Sequence, residues 1–260
     1  MAEKLKDFPW RELRPIVESW FGETDKNLQK KLINCSSNDR LFAKTAQYCF
    51  TVAREYAQSA FDLAEQGNHW PALAVIRPVM EYAIKLLWSC HDKSKLDDCH
   101  KRWEAETVRQ RKVIAEGMRD MAEKASPVWS SRDEKVQFWM CEWKSYELPE
   151  RFPRIDEIAN VLKKADIAGA EGLYPSYRIL CEGSHAILDL DQLNTPVAGG
   201  VVFKKRREMD WMTPSILCYA CIALVAAIWK CCPSWHQYKL TQMFKPARTL
   251  VGNWAKNNVR

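Results

Sequence analysis

Glycine is scarce in this chain, 9 of 260 residues, and alternating runs of Val, Ile or Thr are few. Both scarcities argue against a sheet-rich fold and point to an all-α protein. No apolar signal segment opens the sequence, because residues 1–20 are interspersed with charge; the ten cysteines are therefore expected reduced and the chain cytoplasmic. No glycine-rich phosphate loop, nucleophile elbow or HExxH motif occurs, so the best-known nucleotide, hydrolase and zinc-protease signatures are missing. Global basicity is missing too. The net charge is +6, and Lys204, Lys205, Arg206 and Arg207 alone carry four of those charges.

What is present is apolar residue at helical spacing. Hydrophobic residues make up 47% of the chain, with 12 Trp, enough for a large filled core. The expected layout is a capping helix in 1–34, starting at Pro9 and stopping at Gly22, then one helical domain over 35–232. Within it, a long helix from about 40 to 66 stops at Gly67, and Asn68 caps the next. A charged outer helix is expected over 94–124, an irregular Trp-rich insertion over 126–154, and a short helix over 155–165. Gly169 and Gly172 mark a break before a helix starting at Pro175 and running over 176–190. A basic loop or small hairpin fills 194–210. Thr213 and Pro214 open an apolar helix to about 231, and 233–260 is a polar, partly helical tail. Residues 211–229 approach the length of a membrane span, but their Ala and Cys content favours a buried bundle helix.

The most strongly patterned stretch is 73–88. Leu73, Met80, Ile84 and Leu87 lie within about 80° of Ile76 on a helical wheel, and Arg77 falls between Ile84 and Trp88, inside the apolar arc. Glu81, one turn on, can reach it along the same face. A charge so placed is either paired or functional. A second stretch, 174–190, places Tyr174, Arg178, Glu182, His185 and Asp189 on one face, the pattern of a solvated helix surface or of a site. Cys90, His91, Cys99 and His100 form two adjacent pairs, a poor geometry for zinc, and Cys218 and Cys221 fall within an apolar helix; no metal or other cofactor is expected.

Together RPVMEYAIKLLW and, about a hundred residues later, Y..YR.LC..SH resemble all-helical families related to HEPN domains, the higher-eukaryote and prokaryote nucleotide-binding superfamily. The resemblance implies a dimeric helical bundle whose Arg and His sets face each other across a cleft. It also implies a metal-independent endoribonuclease of the toxin or defence type. Arg178 and His185, with six residues between them, match the Arg-His spacing of that family, whereas Ile179 stands where the family usually has a polar residue. His185 would act as general acid or base at the ribose 2′-hydroxyl and Arg178 would stabilise the crowded phosphate. Arg77 and Glu81 are expected to face them, with Tyr174, Glu182 and Asp189 in support. The run Lys204 to Arg207 would hold RNA backbone. The competing expectation is a non-catalytic helical module that binds a nucleotide, RNA or a partner protein through the same cleft.

Overall fold

The computed structural model describes residues 8–34, 37–91, 152–165, 170–184, 194–197, 200–203, 207–230 and 237–258, with scattered positions between 101 and 113. The chain divides into two compact units. One comprises Met1–His91 with Ile155–Arg260, the other Asp92–Arg154. The second unit thus contains both the charged stretch 94–124 and the Trp-rich stretch 126–154. Its described positions include buried Ala105 and an edge-on contact of Trp103 with Phe152 at 4.9 Å.

The first unit is a helical bundle. Its described elements are α1 (Trp10–Asn34), α2 (Ser37–Glu65), α3 (His69–His91), α4 (Ile155–Lys164), α5 (Ala170–Ser184), α6 (Arg207–Lys230) and α7 (Gln237–Asn258), with a two-stranded antiparallel hairpin, β1 (Asn194–Val197) and β2 (Gly200–Phe203), before α6. The stretch expected to be a loop or small hairpin therefore holds a hairpin. Helix α3 is the hub: it packs against α2, α4, α5 and α6. Leu73, Ile76, Met80, Ala83 and Ile84 are completely buried there, as the wheel of 73–88 requires.

The turn from α2 into α3 follows from its sequence. Gly67 has a φ of 77°, the left-handed conformation open to glycine at little cost. The Gly67 N–H donates to the Ala64 carbonyl at 2.9 Å and the Asn68 N–H to the Leu63 carbonyl at 2.8 Å, the two bonds of a Schellman ending. Asn68 then starts α3, its carbonyl accepting from the Ala72 N–H at 3.0 Å. Helices α2 and α3 therefore turn back on one another with no wasted chain.

Helix α6 is buried around most of its circumference. Met212–Lys230 is long and apolar enough to cross a membrane, and 72% of that window is buried within the fold. It packs on α3, α1, α2 and α7, and the Trp229 indole N–H donates to the Thr24 hydroxyl at 3.0 Å. Thr213 and Pro214 lie inside this helix, which begins at Arg207.

Three expected boundaries are displaced, each by tertiary packing. Helix α1 does not stop at Gly22 but runs to Asn34. Beyond that glycine, Thr24 and Leu28 are buried, and Gln47 of α2 donates to the Asp25 carboxylate at 3.0 Å. Helix α5 begins at Ala170 and not at Pro175. Gly172 is no break: a Cβ there would lie 2.8 Å from the Tyr219 hydroxyl, so glycine is what permits this approach of α6. The segment 233–260 contains a full helix, α7, with Phe244, Ala247, Val251 and Trp254 buried at three- and four-residue spacing. The Trp20 N–H donates to the Met243 carbonyl at 2.9 Å, and the Trp20 and Phe244 rings meet edge-on at 5.0 Å.

Gly22 offers a direct check on the first displacement. A Cβ at this helical position would meet nothing within 4 Å. Gly22→Ala is expected to stabilise the protein by roughly 0.5–1 kcal/mol, through the lower backbone entropy of the unfolded chain. Urea denaturation reads this as a higher midpoint at unchanged slope.

Candidate functional site

Arg77 and Glu81 lie one turn apart on α3, on the side turned to α5, which places both at a helix seam and not in the deepest core. The Arg77 Nε donates to Glu81 Oε1 at 2.9 Å, with the two side chains 26% and 28% exposed. Tyr177 of α5 completes the contact. Its hydroxyl accepts from Arg77 Nη2 at 3.2 Å and donates to Glu81 Oε1 at 3.3 Å, and the guanidinium carbon stands 5.5 Å from its ring centroid. One edge of the guanidinium, Nε with Nη2, is thus engaged by a carboxylate and a phenol, which fixes the plane of the fork.

The electrostatics of this trio follow from partial burial. Burial opposes the charge on Arg77, but Glu81 and the Tyr177 hydroxyl outweigh it and hold the guanidinium pKa above its ordinary value. Burial also raises the Tyr177 hydroxyl, helped by its hydrogen bond with Cys181 and by the negative charge of Glu81. Tyr177 therefore stays protonated at neutral pH, able to donate and accept at once. Chemically, the trio can orient a cation and a phenol toward an anionic group; neither is poised to lose its proton.

The other expected site residues fall differently. Arg178 is exposed, and the residue that meets Arg77 and Glu81 is its neighbour Tyr177. Tyr174 is half-buried on α5. Glu182 belongs to α5, but its side chain lies outside the described residues, as do His185 and Asp189 altogether. Lys204, Lys205 and Arg206 are also outside them, and Arg207 opens α6 with its side chain undescribed. Tyr177 was legible as the middle member of Leu173, Tyr177 and Leu180, spaced by four and three residues. The polar stripe of Tyr174, Arg178, Glu182, His185 and Asp189 runs beside it, and the phenol is embedded in the apolar stripe.

Among the described residues, no group of three His, Cys, Asp or Glu is placed to hold a metal ion. Cys90 is disulfide-bonded, so the expectation of uniformly reduced thiols does not hold at this position, and its sulfur is not a thiolate ligand. Cys99 and His100, the second of the two suggested Cys-His pairs, lie outside the described residues. Cys49, Cys181, Cys218 and Cys221 form no disulfide; Cys218 and Cys221 are buried in α6 as small hydrophobic residues.

Residues 44–195, more than half of the chain, match the family of unknown function DUF5677. The chain belongs to this family. The DUF5677 segment begins within α2 and ends within β1, so it takes in α3, α5 and every member of the Arg77, Glu81 and Tyr177 contact. Helices α6 and α7 follow it, although α6 packs directly on the back of α3. No curated protein and no solved structure gives a significant match to the chain.

Proposed function

We propose that this DUF5677 protein is an RNA- or nucleotide-binding helical module related to HEPN domains, with Arg77 as its phosphate-contacting group. The observation that carries this reading is the fixing of Arg77 between Glu81 and Tyr177 at the α3–α5 seam. A guanidinium whose plane is already set loses less entropy on meeting a phosphate than a free one, and its planar fork suits the tetrahedral oxygens. The reading extends to Lys204, Lys205, Arg206 and Arg207 as backbone contacts, to a cytoplasmic homodimer, and to a further partner protein where the module acts in defence or toxin pairs.

Metal-independent endoribonuclease activity is the second reading, favoured by the position of Arg178. It is exposed and directly follows the residue that orients Arg77. In that reaction the ribose 2′-oxygen attacks the adjacent phosphorus and the bond from phosphorus to the 5′-oxygen breaks. His185 would take the proton from the 2′-hydroxyl or deliver one to the leaving oxygen, and Arg178 would stabilise the charge on the phosphate.

The test is fluorescence anisotropy with a labelled single-stranded RNA, followed by gel analysis of the same RNA. The purified protein is expected to bind, and Arg77→Lys, which keeps the charge but loses the fork, to bind about fivefold or more weakly. Absence of binding at about 100 µM, the weak end of non-specific nucleic-acid affinity, would sink the binding reading. His185→Ala is expected to abolish cleavage with the far-ultraviolet dichroism unchanged. A wild-type protein that neither cuts RNA nor harms an expressing cell ends the enzyme reading alone.

A further inference from the structure

The flank of α3 that faces α2 carries a second cluster. Tyr48 and Tyr56 stand on the outer face of α2, 64% and 40% exposed. They are eight residues apart in the sequence, roughly 12 Å along the helix. Val52, half-buried, lies one turn from each. Across the seam, half-buried Tyr82 of α3 is in electrostatic reach of Tyr48, Tyr56, Cys49 and Glu81. Three of the chain's eight tyrosines therefore share one patch.

Among the described side chains, those charged in the two turns of α2 before Tyr48 are positive. Lys44 precedes it by one turn and Arg40 by two, both exposed. Lys85 of α3 acts on Cys49, the residue next to Tyr48. Among the described residues the negative groups nearby include exposed Glu55, two turns from Tyr48 and next to Tyr56, Glu81, which Arg77 already engages, and Asp25, which accepts from Gln47 beside Tyr48. Flat aromatic faces open to solvent beside cations suit a ligand that offers its own flat faces and a negative charge at regular spacing. Single-stranded nucleic acid has both, whereas a duplex keeps its base faces stacked inside. An ordinary protein surface lacks the repeated negative charge.

We propose that Tyr48 and Tyr56 form a stacking platform for the bases of single-stranded nucleic acid, with Arg40 and Lys44 contacting its phosphates. This deepens the RNA-binding reading and places the bases at the α2–α3 seam, where Tyr82 is in electrostatic reach of Glu81, the partner of Arg77. The patch lies in the described helices α2 and α3 and needs no movement of the fold. Base stacking on an aromatic ring is insensitive to sequence, so oligouridine and oligodeoxythymidine both bind.

The experiment titrates fluorescein-labelled oligouridine with the full chain and its variants. Tyr48→Ala is expected to weaken binding roughly tenfold, and Tyr48→Phe, which keeps the ring, to stay within about twofold. Removing both cations in Arg40→Ala/Lys44→Ala is expected to lower the slope of log affinity against log salt by about 1.4. Equal affinity of wild type and Tyr48→Ala overturns the platform, and Arg77→Lys in the same titration then reports on the α3–α5 seam independently. Weakening by Tyr48→Ala with no effect of Arg77→Lys leaves the platform standing and removes Arg77. A change of sedimenting mass in Tyr48→Ala with affinity unaltered makes the patch a contact between copies of the chain and overturns the proposal. A wild type that binds no oligonucleotide overturns both readings.

Discussion

Raising the pH above 9 is expected to destabilise the folded chain steeply. Burial pushes the Cys49 and Cys218 thiols from an ordinary value near 9 up to about 12, and fully buried Cys221 is raised well above 9 too. Below pH 9 these thiols are protonated in both the folded and the unfolded chain, so stability is flat with pH there. Above it the unfolded chain releases protons that the folded chain retains. The unfolded state then binds fewer protons, and stability falls by about 1.4 kcal/mol per pH unit for each such thiol. Cys49 and Cys218 together give about 3 kcal/mol per unit up to their folded values, a large share of the ~5–15 kcal/mol that holds a typical domain. Tyr82, whose hydroxyl burial raises to about 12, adds in the same direction above pH 10, by less because it is half-exposed. Urea midpoints measured from neutral pH upward check this. Cys49→Ala/Cys218→Ala, although less stable at neutral pH, is expected to lose stability less steeply; an unchanged slope would assign the alkaline transition to other groups.

The same thiols show what the sequence disclosed and what it withheld. Cys218 and Cys221 sit in an unbroken apolar stretch, and such composition leaves burial as the natural reading. Helix α3 was equally legible, since its period aligns with its burial residue by residue, and Gly67 marked its boundary through backbone freedom alone. Helix α7 was not. Pro246 and Gly252 interrupt its local preference and its polar residues outnumber its apolar ones. What holds it is Phe244, Ala247, Val251 and Trp254 against α6 and against α1, the latter more than 200 residues away in the sequence. Single-sequence propensity carries no record of that. Gly22 and Pro175 misled in the same manner, because a helix breaker is a local cost of a few kcal/mol at most and tertiary burial on either side can exceed it.

The candidate site divides along similar lines. The pairing of Arg77 with Glu81 follows from four-residue spacing, which any helix enforces. Its third member does not, because which residue of α5 meets α3 depends on the rotation of α5 about its own axis. Buried Leu173 and Leu180 set that rotation, bring Tyr177 to the seam and leave Arg178 outside. One residue of difference on a helix is about 100° of direction. That step separates a contact with Arg77 from exposure to solvent.

Ile76→Ala is expected to cost about 3–4 kcal/mol, a large share of the ~5–15 kcal/mol that holds a typical domain. Ile76 is completely buried on the hub helix, next to the residue that carries the site. Loss of its side chain leaves a cavity bounded by a helix that packs on α2, α4, α5 and α6. No single neighbour can move to fill that space without loosening another, so the relaxation that makes some cavities inexpensive is blocked. Half-buried Val75, one residue earlier, is the control: Val75→Ala is expected to cost only about 1 kcal/mol. Denaturant titrations of the two variants separate these values clearly. Because Arg77, Glu81 and Tyr177 hold each other through side-chain contacts at the edge of α3, the Ile76 variant is expected to keep, per folded molecule at low temperature, the RNA affinity proposed for the wild type. A loss of affinity in fully folded Ile76→Ala would mean that packing beneath α3, and not the carboxylate and phenol beside it, sets the direction of Arg77.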